Sequence, residues 1–408
     1  MSSRTAVAAP APQRFSLSRG LALAGTTLAF TSLYLGAGFL TPLLVVYRER
    51  WGFPPVILTV AFAVYAVGFL AAALTLGALS DHIGRRPVIV GALLVQVVAT
   101  LMFLFAPDVG WVIAGRIVQG VASGAATGAF TAALVEFSPR GRAALGATLG
   151  SVGLTGGLAL GSLVAGVAIQ FVPAADTLLF VVLLLLTGLG IGVALLSPET
   201  VPRSSGAIRS LIPRISIPRP ARQEFVAAAP VVAAVWMLAG LSGGLAPSMV
   251  RSVFHLDSGV LNGLAGFIAP AVSVITGFAI AGLASRRAMS IGIITAIVGS
   301  AGIIGGVLAQ SLLLMFLGQA VAGVAFGASF TAALRLILPQ AAPAERAGVV
   351  AGIYVVSYTA FGLPIIVEGG VAGAVGQVPA VVGYALLTIA LAVVSLIAQQ
   401  RARKRQGS

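Results

Sequence analysis

The chain is 408 residues long, 59% hydrophobic and only 8% charged, with a formal net charge of +14. A soluble globule carries about 25% charged residues, so this chain cannot cover a water-facing surface; with a mean hydropathy of +1.08 it reads as an integral membrane protein. The absence of Cys excludes disulfides and thiol chemistry.

Twelve apolar runs of span length follow in chain order, at about 20–46, 56–80, 87–106, 110–135, 143–171, 176–197, 226–250, 258–284, 287–309, 311–338, 346–372 and 378–399. Lipid offers backbone groups no partners, so such spans are helical. The runs are long and continuous rather than short and alternating, which argues against a β-barrel. The first run is too long for the core of a cleaved signal, and no small-residue cleavage site stops it, so it is expected to be retained. Between spans 6 and 7 lies the longest polar stretch, 198–225, with five Arg and five Pro. It is too short to bury a core and reads as a linker between 1–197 and 226–408. With both ends placed in the cytoplasm, twenty of the 24 basic residues fall in cytoplasmic segments. Arg48, Arg50 and Arg251 fall outside, and Arg116 lies within span 4. This bias predicts the orientation. Anionic headgroups suffice to explain the charge, so nucleic acid is not an expected partner.

The loop between spans 2 and 3, Gly77-Ala-Leu-Ser-Asp-His-Ile-Gly-Arg-Arg-Pro87, gathers Asp81, His82, Arg85 and Arg86 in a chain where charge is scarce. Its glycines permit a tight turn, and Pro87 can open the next helix. Span 4 contains Gly115-Arg-Ile-Val-Gln-Gly120, with Gly124 beyond it. An Arg at that depth is costly and functional by default, although snorkelling to the outer headgroups is within its reach. The halves repeat. Gly115, Gly120 and Gly124 align with Gly318, Gly323 and Gly327, and Phe130-Thr-Ala-Ala-Leu134 recurs as Phe330-Thr-Ala-Ala-Leu334. The loop after span 2 has a worn counterpart, Gly282-Leu-Ala-Ser-Arg-Arg287, which keeps the Arg pair and lacks the Asp.

Taken together, Gly77, Leu79, Asp81, Gly84, Arg85 and Arg86 fit the pattern G-x-L-x-D-x-x-G-R-R, and the chain resembles the major facilitator superfamily of drug-exporter-like kind. Span 4 is similar to that family's R-x-x-Q-G motif. The resemblance implies an all-α membrane fold of twelve transmembrane helices in two pseudo-symmetric six-helix bundles. It implies a secondary active transporter that moves a small organic solute by alternating access. The loop would be a gate latch, in which Asp81 faces the N-terminal end of a helix in the other half. Arg85 or Arg86 would pair with Glu136 at the end of span 4. Glu136 also reads as an interfacial acid balancing Arg140 and Arg142. Arg116, with Gln119 one turn away, would serve coupling or substrate binding.

In span 5, Gly153, Gly157, Gly161 and Gly166 resemble the antiporter motif G-x-x-x-G-P-x-x-G-G, with Ser162 in place of Pro and Ala165 in place of Gly; the stripe equally suits generic close packing. Glu368 in span 11 stands either at the outer interface or buried, where a carboxyl would suit proton exchange. Thr31, Tyr34, Trp236, Met237, Gln319, Tyr354 and Tyr358 are cavity candidates, a mainly apolar set suited to a hydrophobic or neutral solute, or to an anion meeting Arg116. Asp108, Asp176, Asp257 and His255 read as loop residues. No catalytic or metal-ligand spacing is present, so neither an enzyme nor a cofactor is expected; a proton gradient is the expected driving force. The expectation is a proton-coupled efflux antiporter, monomeric, in the plasma membrane with both termini cytoplasmic. An uptake symporter or facilitator, and a non-transporting sensor with the same fold, remain open as alternatives.

Overall fold

The computed structural model describes residues 16–406 apart from 214. Arg4, Arg14 and Arg214 of the charge count therefore lie outside the described residues. Twelve helices are long and apolar enough to cross a membrane. They are α1 (Arg19–Trp51), α2 (Pro55–Leu76), α3 (Arg85–Leu104), α4 (Val109–Phe137), α5 (Ala143–Phe171) and α6 (Ala175–Leu196). The second set is α7 (Arg219–Ser252), α8 (Gly259–Ala279), α9 (Ser285–Leu308), α10 (Leu312–Ile337), α11 (Arg346–Val375) and α12 (Gln377–Gln406). No strand occurs among the described residues.

Local chemistry sets several of the helix ends. Ser18, Asp108, Ser258 and Ser311 each accept a hydrogen bond from a backbone N–H in the first turn of the helix they precede, which satisfies an otherwise orphaned donor. α1 runs to Trp51 and stops at Gly52 in the left-handed conformation, five residues beyond the apolar run. α7 begins at Arg219, seven residues before the apolar run. Pro218 precedes it and Pro220 lies in its first turn, where a missing N–H costs nothing. Its opening turns are polar, which is why hydropathy does not register them. Single π turns interrupt α5 at Val152–Gly156 and α7 at Leu241–Leu245; such bulges concentrate at functional sites.

Helices α1–α6 pack on one another as one bundle and α7–α12 as a second. Small residues bring backbones together within each. A Cβ on Gly120 would meet the Phe69 nitrogen of α2 at 2.8 Å, and one on Gly124 the Ala73 nitrogen at 3.0 Å. In the second bundle, Gly323 approaches the Ala269 carbonyl of α8 and Gly327 the Ser273 carbonyl in the same way. These matched approaches fix the register of the two halves: Gly120 corresponds to Gly323 and Gly124 to Gly327. The identical pentapeptides do not share that register. Phe130 is fully buried and stacks on Phe30 inside the first bundle, whereas Phe330 is half-buried beside Trp236. The correspondence of spans 4 and 10 thus rests on the glycines, and the repeated Phe-Thr-Ala-Ala-Leu is offset by about one helical turn.

The bundles meet mainly at the end opposite the Arg85 loop. There Ser162 of α5 donates to the Gly263 carbonyl of α8 at 3.0 Å, and the Gly259 N–H donates to Gln170 at 2.8 Å. Gly166 has no room for a side chain against Gly263. Arg251 of α7 forms an ion pair with Glu49 of α1, and Thr59 of α2 packs on Gly369 of α11.

Candidate functional site

The loop after α2 is held by acids from three places. Gly84 has φ +101°, a conformation that only glycine adopts without strain. A Cβ there would also strike the Glu199 carboxylate at 2.5 Å. That carboxylate lies across the start of α3: Oε1 accepts the Arg85 N–H at 2.9 Å and Oε2 the Arg86 N–H at 3.1 Å. An anion at a helix N-terminus satisfies free donors and the macrodipole together. The Arg85 guanidinium donates to Glu136 at 3.0 and 3.2 Å and to the Ser80 hydroxyl at 2.8 Å, and it pairs with Asp81 one turn back. Thr200 donates to the other Glu136 oxygen. His82 meets Ser204 and the Ser205 carbonyl.

Arg85, Asp81 and Glu136 are thus brought together, while Arg86 joins the cluster through its backbone N–H. The Asp81 side chain is 59% exposed and its ion pair is with Arg85 in its own bundle. Sequence reasoning missed Glu199, Thr200 and the His82 contacts. The run Pro198-Glu-Thr directly after a span was the available signal. It also missed the acid serving the worn second loop: Arg286 pairs with buried Glu224 at the start of α7 and donates to Gln399 of α12 at 3.0 Å.

Arg116 is 2% exposed, so it does not snorkel. Nη1 donates to Gln119 at 2.8 Å, Nη2 to the Phe62 carbonyl at 3.1 Å and Nε to the Ala61 carbonyl at 3.3 Å. Its guanidinium lies 4.5 Å from the Tyr65 ring centre, a cation–π contact. Among the described residues none of the ion pairs includes it. Among the described residues the Gln119 amide nitrogen lacks a hydrogen-bond acceptor, and the Tyr65 and Ser123 hydroxyls pair with each other nearby. A buried cation held by carbonyls and a ring, with an amide donor free beside it, has the chemistry to meet an anionic group. Gln319 occupies the matching place in α10, fully buried with both amide atoms unpartnered.

Between the bundles, aromatic rings form a continuous layer. Phe69 of α2 stacks on Tyr358 of α11 at 4.2 Å; Trp236 of α7 lies 4.7 Å from Tyr358, 5.4 Å from Phe326 and 5.7 Å from Phe330. Phe62 meets Phe361 at 5.2 Å, and Tyr354 stands edge-on to Tyr358 at 6.1 Å. The Trp236 N–H is buried without an acceptor. Tyr34 of α1 instead stands edge-on to Phe30 at 5.3 Å and shares a 2.7 Å hydrogen bond with Thr127. Of the cavity candidates, Trp236, Tyr354 and Tyr358 belong to this layer. Met237 is buried, and its backbone carbonyl accepts the Tyr384 hydroxyl of α12 at 2.8 Å. Thr31 bonds back to the Thr27 carbonyl and faces Gly153. Phe62, Phe69, Phe326, Phe330 and Phe361 were missed; their spacing of three or four residues on α2, α10 and α11 was the signal.

Glu368 is 3% exposed and neither carboxylate oxygen has a partner; of its two readings the structure takes the buried one. It lies two turns beyond Phe361, and Ile365 between them packs on Gly244 of the π turn in α7. Gly153, Gly157 and Gly161 pack against α1, while Gly166 packs against α8. Ser162, standing where the antiporter pattern has Pro, supplies the cross-bundle bond already described.

The sequence profile described as Major Facilitator Superfamily matches residues 26–367. The chain is 35% identical over 115 residues to the class C tetracycline resistance protein of Escherichia coli, 27% of this chain and 29% of that protein. It is 35% identical over 99 residues to an MFS-type transporter of Aspergillus terreus, covering 24% of this chain and 17% of that one. The aligned stretches therefore span less than a third of these curated relatives. Among solved structures, a bacterial homologue of the human lysosomal transporter Spinster, inward-facing and unoccupied, superposes with a TM-score of 0.72 at 15% identity over 94% of this chain and 97% of its own. A POT family transporter in complex with 5-aminolevulinic acid gives 0.74 at 12% identity over 94% and 96%. At such identities the likeness is one of fold. The profile match covers most of the chain, and the twelve-helix membrane protein belongs to the Major Facilitator Superfamily, as a transporter rather than an enzyme.

Proposed function

We propose that the chain exports a small, largely apolar and aromatic solute by alternating access, in exchange for protons. The observation that carries this reading is the aromatic layer shared by α2, α7, α10 and α11, flanked by buried Arg116. Flat rings facing one another across a mobile interface suit a planar solute, and the absence of an acid among those rings favours a neutral or anionic one. Arg116 with Gln119 would meet an anionic group, and Glu368 would carry the proton. Local likeness to a tetracycline resistance protein supports export. The basic-residue bias supports a plasma-membrane protein with both termini cytoplasmic. The halves would be 1–197 and 226–408, joined by 198–225, working as a monomer. The Glu199–Arg85–Glu136 cluster would hold the cytoplasmic side in one state.

The reading is tested in proteoliposomes carrying an internal pH dye and exposed to a panel of planar aromatic compounds. Export by exchange predicts proton movement opposite to solute movement, abolished by Arg116→Ala. Proton and solute moving together would make it an uptake symporter. No flux for any compound would leave a non-transporting sensor.

A further inference from the structure

The segment between α6 and α7 carries side chains that neither bundle uses. Both of its ends are pinned at the level where spans begin. Near its start the Ser204 N–H donates to the His82 carbonyl at 2.8 Å, beside the start of α3. Near its end the Ser216 N–H donates to the Gly348 carbonyl at 3.4 Å, and Ile217 packs on Gly352, in the first two turns of α11. The stretch between these pins therefore leaves and returns at the level where α3 and α11 begin. There Ile208 is 84% exposed and Ile212 62% exposed. They lie four residues apart, with Arg209 between them on the helical turn Ala207–Ser210. From 200 to 223 the sequence has five Arg and no acid.

We propose that residues 203–212 are a membrane-surface anchor: Ile208 and Ile212 enter the boundary between headgroups and acyl chains, and Arg203 and Arg209 meet anionic phosphates. Depth and charge together select lipid as the occupant. Apolar side chains alternating with Arg at headgroup level match the chemistry of an interfacial segment, and each basic residue near an anionic leaflet adds to its binding. An acidic protein partner would also meet the Arg residues, but the pins keep the segment beside the bilayer.

The chain has no Cys, so single labels are simple to place. Ile208→Cys and Ile212→Cys variants of the full chain, labelled with a polarity-sensitive dye, would be reconstituted in vesicles of phosphatidylcholine with and without phosphatidylglycerol. An Arg140→Cys variant in the loop after α4 provides the water-exposed reference. The expected result is blue-shifted emission and quenching by headgroup-level spin-labelled lipid at 208 and 212, stronger with phosphatidylglycerol. Adding Arg209→Gln should remove much of that lipid-charge dependence. Labels as wet as the one at 140 would overturn the proposal. So would labels shielded from water yet untouched by the lipid quencher, which would mean a protein cover, or quenching indifferent to lipid charge.

Discussion

Glu199 closes the N-terminus of the helix that Arg85 begins, with one carboxylate oxygen on each of two successive backbone N–H groups, at 2.9 and 3.1 Å. The loop after α2 is therefore tied to the segment that joins the two bundles, and the Arg85 side chain carries the tie on to Glu136. Glu199→Gln keeps the shape and removes the charge. We expect it to slow turnover while the protein remains folded, because an N-terminal anion contributes about 0.3–1 kcal/mol at exposed sites and more when part-buried. Initial transport rates beside size-exclusion profiles check this; unchanged rates would detach the linker from the gate.

Asp81 is exposed, and its ion pair is with Arg85 of its own bundle. The proposed cycle would place the role of Asp81 in the other state. Asp81→Asn should impair turnover without lowering expression or thermal stability in this state. Gly84→Ala, by contrast, forces a side chain into φ +101° and onto Glu199. A loss of about 1–3 kcal/mol should appear as a lower unfolding temperature in detergent.

Arg116→Lys should lose transport by at least about tenfold, since a lysine cannot reproduce two carbonyl bonds and the Gln119 bond at once, and charged hydrogen bonds are worth about 1.5–3 kcal/mol each. Retained activity in the Lys variant would reduce Arg116 to a point charge. Binding isotherms beside flux would separate a loss of solute affinity from a loss of coupling.

Glu368→Gln preserves volume and removes the titratable group from α11. Transport driven by a proton gradient should fall, while exchange of solute for solute persists. A variant that still accumulates solute against its gradient would take the proton from some other residue.

Ser162 offers a narrower test of the cross-bundle seam. Ser162→Ala removes one hydrogen bond worth about 1 kcal/mol, roughly fivefold in the balance between states. A thiol introduced near the opposite end of the interface should then react faster with a water-soluble reagent.

The spans were legible because runs of about 20 apolar residues are long, continuous signals. The polar opening of α7 was not, since hydropathy does not see a helix that starts on Arg219 and Pro220. Arg85 and Glu136 could be paired in advance through a family pattern. Glu199 could not, because it reaches α3 from a linker position 114 residues away and no local periodicity marks that contact. Trp236, Tyr354 and Tyr358 were readable from the spans expected to line the interface. The rings of α2 that complete the layer were not, because their importance comes from facing α11, a tertiary fact. The repeated pentapeptide shows the opposite hazard: identical letters in an apolar helix need not share a register, while Gly residues that admit a neighbouring backbone must.

The central claim is that two rigid bundles rock about the aromatic layer, opening one end as the other closes. It is tested most directly by spin labels at Glu49→Cys and Arg251→Cys, the ion pair that joins α1 to α7, in an otherwise Cys-free chain. Electron-spin distance measurements across a pH series and with transported solute should give a short population and a longer one whose balance shifts with those conditions. A single short distance, unmoved by pH or solute while flux continues, would contradict it.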